Sequence, residues 1–275
     1  MAFASMFTRN VYRKKMSKKH IVICGMPRSG TTLLWSLLPF AYPMENWQTQ
    51  SRETSARSVM NPNQNTLSKR PKDALKLSKI HWLAKLKGVD LKILFCIRDP
   101  RSVVTSRHPG VHDDYFIGWR NSYFIPDDDG SRPTLTDPGL YRFVRSWIRF
   151  ASKVNLMTIR YESLVSSPQQ TQERISKLIG LSPKKKFGDW NERQGVFHDH
   201  SDALNGVREL SARTEVRPGD KSRIADMAKI KAFQKSIILL GYDPSRIGVI
   251  KGATPQSHPS CWDKVKATGS ELLKL

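Results

Sequence analysis

Residues 20–32 have the sequence HIVICGMPRSGTT, and this stretch determines how the first unit of the fold is built. Its first half, 20–25, is an apolar run rich in β-branched residues, which predicts a buried strand. Two glycines then bracket a short loop. The next residues, TTLLWSLL, have apolar positions suited to a helix, which we expect Pro39 and Pro43 to end. A strand, a glycine-containing loop and a helix in this order begin a phosphate-binding α/β unit.

The loop itself has the chemistry of an anion site. Its backbone N–H groups and the start of the following helix favour a bound phosphate. Loops that bind nucleoside triphosphates have a lysine directly after the second glycine, whereas this chain has Thr31 there and its cation, Arg28, inside the loop. An arginine at that point can stabilise a leaving phosphate without a metal. The candidate phosphate-binding residues are Arg28, Ser29, Gly30, Thr31 and Thr32.

A second apolar run, LKILFCI at 91–97, predicts the strongest strand of the chain and leads directly into Arg98. Strands that alternate with helices predict an α/β fold, here a single P-loop-like domain whose central parallel sheet is flanked by helices. Ligands of such sheets lie at the carboxyl ends of the strands. We therefore expect Arg28 and Arg98, which both follow a strand, to lie at the same edge of the sheet.

The rest of the chain gives coarser predictions. Periodic apolar residues predict helices over 73–87, 139–152, 168–180 and 221–240, and a strand followed by a loop over 155–164. Polar or Gly- and Pro-rich composition predicts irregular segments over 41–70, 108–138 and 182–220. The expected organisation is a basic arm over 1–19, one domain over 20–245 and a C-terminal tail over 246–275.

Two motifs resemble those of a known family. PRSGTT at 27–32 resembles the 5′-phosphosulfate loop of the sulfotransferases that use 3′-phosphoadenosine 5′-phosphosulfate (PAPS), particularly the tyrosylprotein and bacterial branches. RDPRSVVTS at 98–106 resembles the 3′-phosphate motif of the same family. The resemblance implies that Arg98 and Ser106 hold the 3′-phosphate, and we expect Ser106 about two turns into the helix after the strand.

Further matches extend the resemblance over roughly 20–244. Lys69 stands in a Lys-Arg-Pro element, which implies contact with the transferring sulfate; the alternative is a solvated lysine. Tyr161 stands in an Arg-Tyr-Glu-Ser-Leu element, which implies approach to the nucleotide; the alternative is a core tyrosine. The family also has a late basic or serine-containing element that closes over the nucleotide, for which the candidates are Ser211, Arg213 and Arg217.

The resemblance implies an enzyme that transfers a sulfuryl group from PAPS to an acceptor hydroxyl by in-line displacement, leaves adenosine 3′,5′-bisphosphate (PAP), and requires no metal. A carboxylate or histidine must accept the proton of the acceptor hydroxyl. The branch that this chain resembles has a Glu after the first helix, and Glu53, which precedes a threonine as in that branch, is preferred over Glu45. The cytosolic sulfotransferases instead have a His shortly after the 3′-phosphate motif, for which His108 and His112 are the alternatives.

Composition limits the partners. Lys and Arg number 46 against 24 Asp and Glu, a formal net charge of +22, so anions are attracted. This charge favours an anionic acceptor such as an acidic glycan or an acidic peptide. Three alternatives remain: a P-loop kinase of nucleosides or small molecules, a non-catalytic nucleic-acid-binding protein, and an inactive sulfotransferase-like binder. The kinase alternative requires a lysine after Gly30, which this chain does not have. The nucleic-acid alternative is weakened because the chain has no recognisable nucleic-acid-binding motif.

Cysteines, histidines and hydropathy complete the predictions. Cys24 and Cys96 lie in apolar runs and are expected to be buried thiols. The cluster 198–202, HDHSD, matches no zinc spacing, and solvated histidines are the expectation. No apolar run approaches the roughly 18 residues of a membrane span, and no secretory signal is recognisable, so a cytoplasmic location is predicted, with a transit-like N-terminus as the alternative.

Overall fold

A four-stranded parallel sheet lies at the centre of the structure, a computed structural model that describes residues 17–49, 53–106, 116–124, 134–190 and 218–250. Its strands are β1 (Lys19–Gly25), β2 (Thr66–Lys69), β3 (Asp90–Ile97) and β7 (Leu156–Arg160), in the order β2-β1-β3-β7. All three pairings are parallel. Because consecutive parallel strands need crossover connections, helices cover the sheet. The predicted α/β fold class is confirmed.

Both faces of the sheet are buried, which explains why β1 and β3 are continuous apolar runs. Ile21 and Ile23 of β1 face one core, and Val22 and Cys24 face the other. The first core is completed by helices α1 (Thr31–Ala41) and α7 (Pro168–Ile179), and the second by α3 (Leu77–Lys87), α4 (Pro100–Val104), α5 (Leu140–Phe150) and α9 (Lys231–Leu239). Cys24 and Cys96 are buried thiols as predicted.

The described ranges contain three further α-helices: α2 (Ala56–Val59), α6 (Tyr161–Ser166) and α8 (Pro218–Ala228). A second, antiparallel sheet of β4 (Phe116–Ile117), β5 (Asn121–Phe124) and β6 (Thr134–Pro138) precedes α5, where the sequence predicted irregular chain. In the ranges that the structure describes, no helix is both long and apolar enough to cross a membrane.

Several predicted boundaries are wrong, and each has a local cause. Pro39 lies inside α1, because it falls in the last turn and the helix ends only where the N–H of Tyr42 bonds to Leu38. The predicted helix over 73–87 begins as a 3₁₀ turn, Pro71–Lys76. The predicted helix over 221–240 is broken into α8 and α9 at Ile230, which has extended backbone.

Strand β2 was not predicted, since Thr66–Lys69 is only four residues long and has a single apolar residue, Leu67. It is buried because Thr66 and Ser68 both hydrogen-bond the buried side chain of His20 on β1. The segment after β7, predicted as loop, is helix α6. The three domain boundaries stay predictions; residues 1–16 and 251–275 lie outside the described ranges.

Candidate active site

The loop between β1 and α1 is anchored on the neighbouring strand β3. A Cβ at Gly25 would lie 2.1 Å from the backbone oxygen of Cys96, so only glycine allows β1 and β3 to approach this closely. The N–H of Met26 donates to the same oxygen at 2.9 Å, and the buried hydroxyl of Ser29 donates to it at 3.2 Å. Ser29, a predicted phosphate ligand, thus uses its side chain to hold the loop, through the backbone oxygens of Met26 and Cys96.

Arg28 adopts a left-handed backbone with φ of 60°, followed by Gly30 with φ of 85° at the N-cap of α1. A non-glycine residue in this conformation is strained, and such strain is concentrated at functional sites. In this conformation, Nε of Arg28 donates a hydrogen bond to Oγ of Ser106 at 3.0 Å. Thr31 and Thr32 begin α1 directly behind the loop, where helix N–H groups favour an anion.

Arg98 joins the same cluster from the end of β3. Its Nη1 donates to the backbone oxygen of Arg28 at 3.2 Å, and its guanidinium lies 4.3 Å from the ring centre of Tyr161. The Tyr161 ring in turn packs on Gly30, where a Cβ would lie 2.6 Å from Cδ2. Two arginines whose segments meet at one strand edge create a positive field that favours an anion. The predicted meeting of Arg28 and Arg98 at one edge of the sheet is what the structure shows.

Ser106 differs from its predicted position. Helix α4 is short and ends at Val104, so Ser106 lies beyond the helix and not two turns into it. Its N–H bonds to the Val103 oxygen at 3.2 Å, which closes a turn. This turn, and not helical spacing, brings the hydroxyl back to Arg28.

Lys69 ends β2 at the same edge of the sheet. Its side chain is only 4% exposed, and its Nζ lies 2.5 Å from Oε1 of Glu53 and 5.7 Å from the ring centre of Trp35 on α1. The solvated-lysine alternative is therefore wrong. The Glu53 side chain is 47% exposed, so one partner of the pair is buried and the other is open to solvent.

Glu45 lies elsewhere. Its carboxylate pairs with Lys184 at 2.8 Å on the surface, and that hydrogen bond lowers the pKa of Glu45 below its ordinary value. The structure thus brings one of the two candidate bases, Glu53, to Lys69 and places the other with Lys184.

A buried polar network behind the site was missed from the sequence. Asp99 accepts bonds from the backbone N–H, Nε and Nη2 of Arg101 at 2.8–3.0 Å. Arg101 also donates to three backbone oxygens of the segment 243–246 at 2.6–2.9 Å, and Asp99 accepts from the N–H of Gly248 at 2.7 Å. Asp99 therefore pairs with Arg101, which leaves the side chain of Arg98 beside Arg28 and Tyr161.

Glu162 links this network to the element that contains Tyr161. Its carboxylate accepts from the N–H of Asp99 at 3.1 Å and from the hydroxyl of Tyr242 at 2.8 Å. Burial raises the pKa of Glu162 above its ordinary value. The acid and the base of Asp99-Pro100-Arg101 were a sequence signal for their own ion pair. The other partners in this network lie more than 60 residues away, and the sequence gives no signal for them.

Other predicted residues lie outside the described ranges: Ser211, Arg213, Arg217, His108, His112 and the cluster 198–202. Within the described ranges, no group of three or more His, Cys, Asp or Glu side chains is placed to hold a metal ion.

The geometry defines a class of protein: an α/β protein in which a strand–loop–helix unit and a second loop present two arginines at one edge of a parallel sheet, a site for a phosphorylated ligand. Residues 18–200 match the family described as "Sulfotransferase domain". The match covers more than half of the chain, and the chain belongs to this family. Its members transfer a sulfuryl group, the general activity that the motifs predicted.

The solved structures similar to this chain include two sulfotransferases. The mouse sulfotransferase SULT7A1, complexed with PAP, covers 93% of this chain and 85% of its own length, with 11% identity and a TM-score of 0.43. The sulfotransferase domain from the curacin biosynthetic pathway covers 78% of this chain and 99% of its own, with 15% identity and a TM-score of 0.38. No curated protein gives a significant match. The assignment therefore depends on the family match and the site.

Proposed function

We propose that this chain transfers a sulfuryl group from PAPS to an acceptor hydroxyl, with Glu53 as the general base. The observation that supports the proposal most is that Arg28, Arg98 and Ser106 converge at the same carboxyl edge of the sheet at which Lys69 ends β2 and pairs with Glu53. These residues come from distant segments, and cationic side chains concentrated at one strand edge suit a ligand with several anionic groups.

Each part of the donor has a group to bind it. Arg98 and Ser106 would hold the 3′-phosphate, and the backbone N–H groups over Gly30–Thr32 with Arg28 would hold the 5′-phosphosulfate. Tyr161 would contact the nucleotide at its ring edge while its face stays against Arg98. Ser211 and Arg213 stay candidates to close over the nucleotide.

The transfer is an in-line displacement at sulfur. The acceptor oxygen forms a bond to sulfur as the bond from sulfur to the 5′-phosphate oxygen breaks, and PAP leaves. Glu53 takes the proton of the acceptor hydroxyl, since its carboxylate is open to solvent. Lys69, buried beside it, stabilises the charge that develops on the transferring group. Because Lys69 and Arg28 supply this cationic charge, the proposal assigns no step to a metal.

Calorimetry with PAP tests the binding half of the proposal. We expect wild-type protein to bind PAP, and Arg98→Ala to weaken binding at least tenfold, since charge-assisted bonds to phosphate are lost. Arg142→Ala on the exposed side of α5 removes the same charge away from the site and should bind like the wild type. Binding of ATP with Mg²⁺ but not PAP, or of random DNA without a nucleotide site, would contradict the proposal.

Two matched glutamates test the chemical half. Glu53 and Glu45 both pair with a lysine, at 2.5 and 2.8 Å. We expect Glu53→Gln to lower turnover of ³⁵S-labelled PAPS by about 10²–10⁴-fold with PAP affinity retained, the usual effect of removing a general base. Glu45→Gln should turn over like the wild type. Equal turnover of the two variants would remove Glu53 from this role.

The acceptor class follows from the charge. A net charge of +22 attracts anions, so we propose an acidic glycan or an acidic peptide as acceptor. A panel of glycans, peptides, lipids and phenols incubated with labelled PAPS tests this class. Preferential sulfation of neutral phenols would contradict it and leave the donor assignment intact.

A further inference from the structure

One face of α3, remote from the active-site cluster, exposes apolar side chains between lysines. Trp82 is 64% exposed and Leu86 is 67% exposed, and their spacing of four residues places them on the same side of the helix. At about 100° per residue, Lys79 and Lys85 lie on either side of this pair. We call these four residues the α3 face. Ile80 and Ala84 lie on the opposite side, in the core.

The charge of the α3 face is not balanced by acidic neighbours. Helix α3, LSKIHWLAKLK, contains no acidic residue. Of the acids nearest in sequence, Asp73 is buried and bonded to the N–H of Ala56, and Asp90 pairs with Lys92 at 2.9 Å. Within the part of the chain that the structure describes, neither Lys79 nor Lys85 forms an ion pair. The face therefore has a positive field around an apolar centre.

A third exposed apolar residue lies at the amino edge of the sheet, the edge toward which α3 runs. Helix α3 runs into the start of β3, where the N–H of Ile93 bonds to the oxygen of Asn155 at 2.8 Å. Val154, next to that residue, is 98% exposed and follows the exposed Lys153. This edge is opposite to the carboxyl edge that presents Arg28 and Arg98. A partner or surface bound at the amino edge of the sheet therefore leaves the active-site edge uncovered.

We propose that the α3 face docks the protein on an anionic phospholipid surface. A tryptophan and a leucine between lysines match the chemistry of such an interface: the apolar side chains enter the boundary of the acyl chains, and the lysines contact anionic headgroups. A protein partner would need a contiguous patch that buries roughly 800 Å² on each side. The α3 face instead has only two exposed apolar side chains, set between two lysines, which suits an anionic lipid surface.

Vesicle co-sedimentation with the full chain tests the proposal. We expect binding to phosphatidylcholine vesicles with about 30% phosphatidylserine, and much weaker binding to pure phosphatidylcholine, because the lysines need anionic lipid. Trp82→Ala/Leu86→Ala should lower the partition coefficient about tenfold or more at unchanged charge. The fluorescence difference between wild type and Trp82→Phe should shift to the blue when the anionic vesicles are added.

Two charge-reversal variants distinguish docking through the α3 face from a general attraction of anionic vesicles to a basic protein. Lys79→Glu/Lys85→Glu is expected to abolish vesicle binding. Lys177→Glu/Lys186→Glu makes the same charge change at exposed lysines on and after α7, across the sheet, and should bind like the wild type. PAP affinity should be the same in all these variants, so the result is independent of the proposed donor site.

The proposal is overturned by any of three results: equal binding to both vesicle compositions, equal loss in the two lysine double variants, or an unshifted Trp82 signal on bound vesicles. Binding to soluble polyglutamate but not to anionic vesicles would overturn it as well, since it would identify an acidic protein as the partner.

Discussion

Arg28 shows how a single backbone conformation can serve the site. Among the residues that the structure describes, it is the one non-glycine residue with positive φ. That conformation costs an arginine roughly 1–2 kcal/mol relative to the right-handed region. The loop imposes it because the chain must turn between the anchor on Cys96 and the start of α1, and the result is a side chain directed at Ser106.

Two substitutions separate the side chain of Arg28 from its backbone. Arg28→Ala removes the guanidinium and keeps the strain, whereas Arg28→Gly removes both. We expect both variants to lose PAP binding, and Arg28→Gly to be more stable than Arg28→Ala by about 1 kcal/mol, because glycine adopts positive φ without a Cβ clash. Urea unfolding gives the stabilities and calorimetry the affinities. A less stable glycine variant would show that the loop does not strain residue 28.

His20 makes stability depend on pH. It is buried between Thr66 and Ser68, and burial, with a smaller effect of Lys87, lowers its pKa from the ordinary 6.5 to about 3. The unfolded chain therefore binds a proton below about pH 6.5 that the folded protein does not bind until about pH 3. Folding stability contributed by the neutral ring is present above pH 6.5 and is lost as the pH falls, at about 1.4 kcal/mol per pH unit.

Urea unfolding at neutral pH and at about pH 5 measures this loss. Wild-type protein should lose about 2 kcal/mol more than His20→Asn between the two conditions, since asparagine does not titrate. His81→Asn, which removes an exposed histidine on α3, is the matched control and should follow the wild type. If the wild type and His20→Asn lose the same free energy, the buried ring is protonated in the folded state.

At the scale of elements, strand length decided what the sequence could predict. Strands β1 and β3 were predicted because each contains an uninterrupted apolar run rich in strand-favouring residues, IVIC and ILFCI. Strand β2 has four residues and is held by contacts to His20, so its cause lies in a different part of the chain. The break between α8 and α9 at Ile230 has no glycine or proline to signal it.

The same reasoning applies to the elements of the site. Arg28 and Arg98 were predicted to meet because the ends of neighbouring parallel strands share one edge, a general geometric rule. The choice of Glu53 over Glu45 as the partner of Lys69 depends on the path of residues 41–65, which local propensity does not determine. Arg101 and its partners in segment 243–246 are more than 140 residues apart in the sequence, so local patterns could not predict their contact.

Two helix-ending glycines provide a prediction about elements. Gly241 follows α9 with φ of 78°, and a Cβ there would lie 3.0 Å from Nη2 of buried Arg160. Gly88 follows α3 with φ of 62° and has nothing within 4 Å of a Cβ. We expect Gly88→Ala to cost about 1 kcal/mol of unfolding free energy from positive φ alone, and Gly241→Ala about 1 kcal/mol more. Equal losses in urea unfolding would show that Arg160 moves aside.

At the scale of the whole molecule, one sheet separates two cores. Trp35 of α1 is buried in the first core and Trp147 of α5 in the second. Alternate side chains of β1 and β3 enter both, so loss of either core exposes the strands on which the other depends. The site lies on the strand ends that both cores support. Its geometry therefore depends on both layers at once.

This arrangement predicts that the two cores unfold together. Trp35→Phe and Trp147→Phe each remove one fluorescent reporter. The fluorescence difference between each variant and the wild type therefore reports the unfolding of one core. Because β1 and β3 are shared, we expect both differences and the far-ultraviolet circular dichroism to give the same urea midpoint, which is the behaviour of a single cooperative unit. Phenylalanine keeps most of the buried apolar volume, so small equal shifts of the midpoint are acceptable. Two separated midpoints would mean that one layer stays folded without the other, and the single domain predicted for 20–245 would then be two units joined by a sheet.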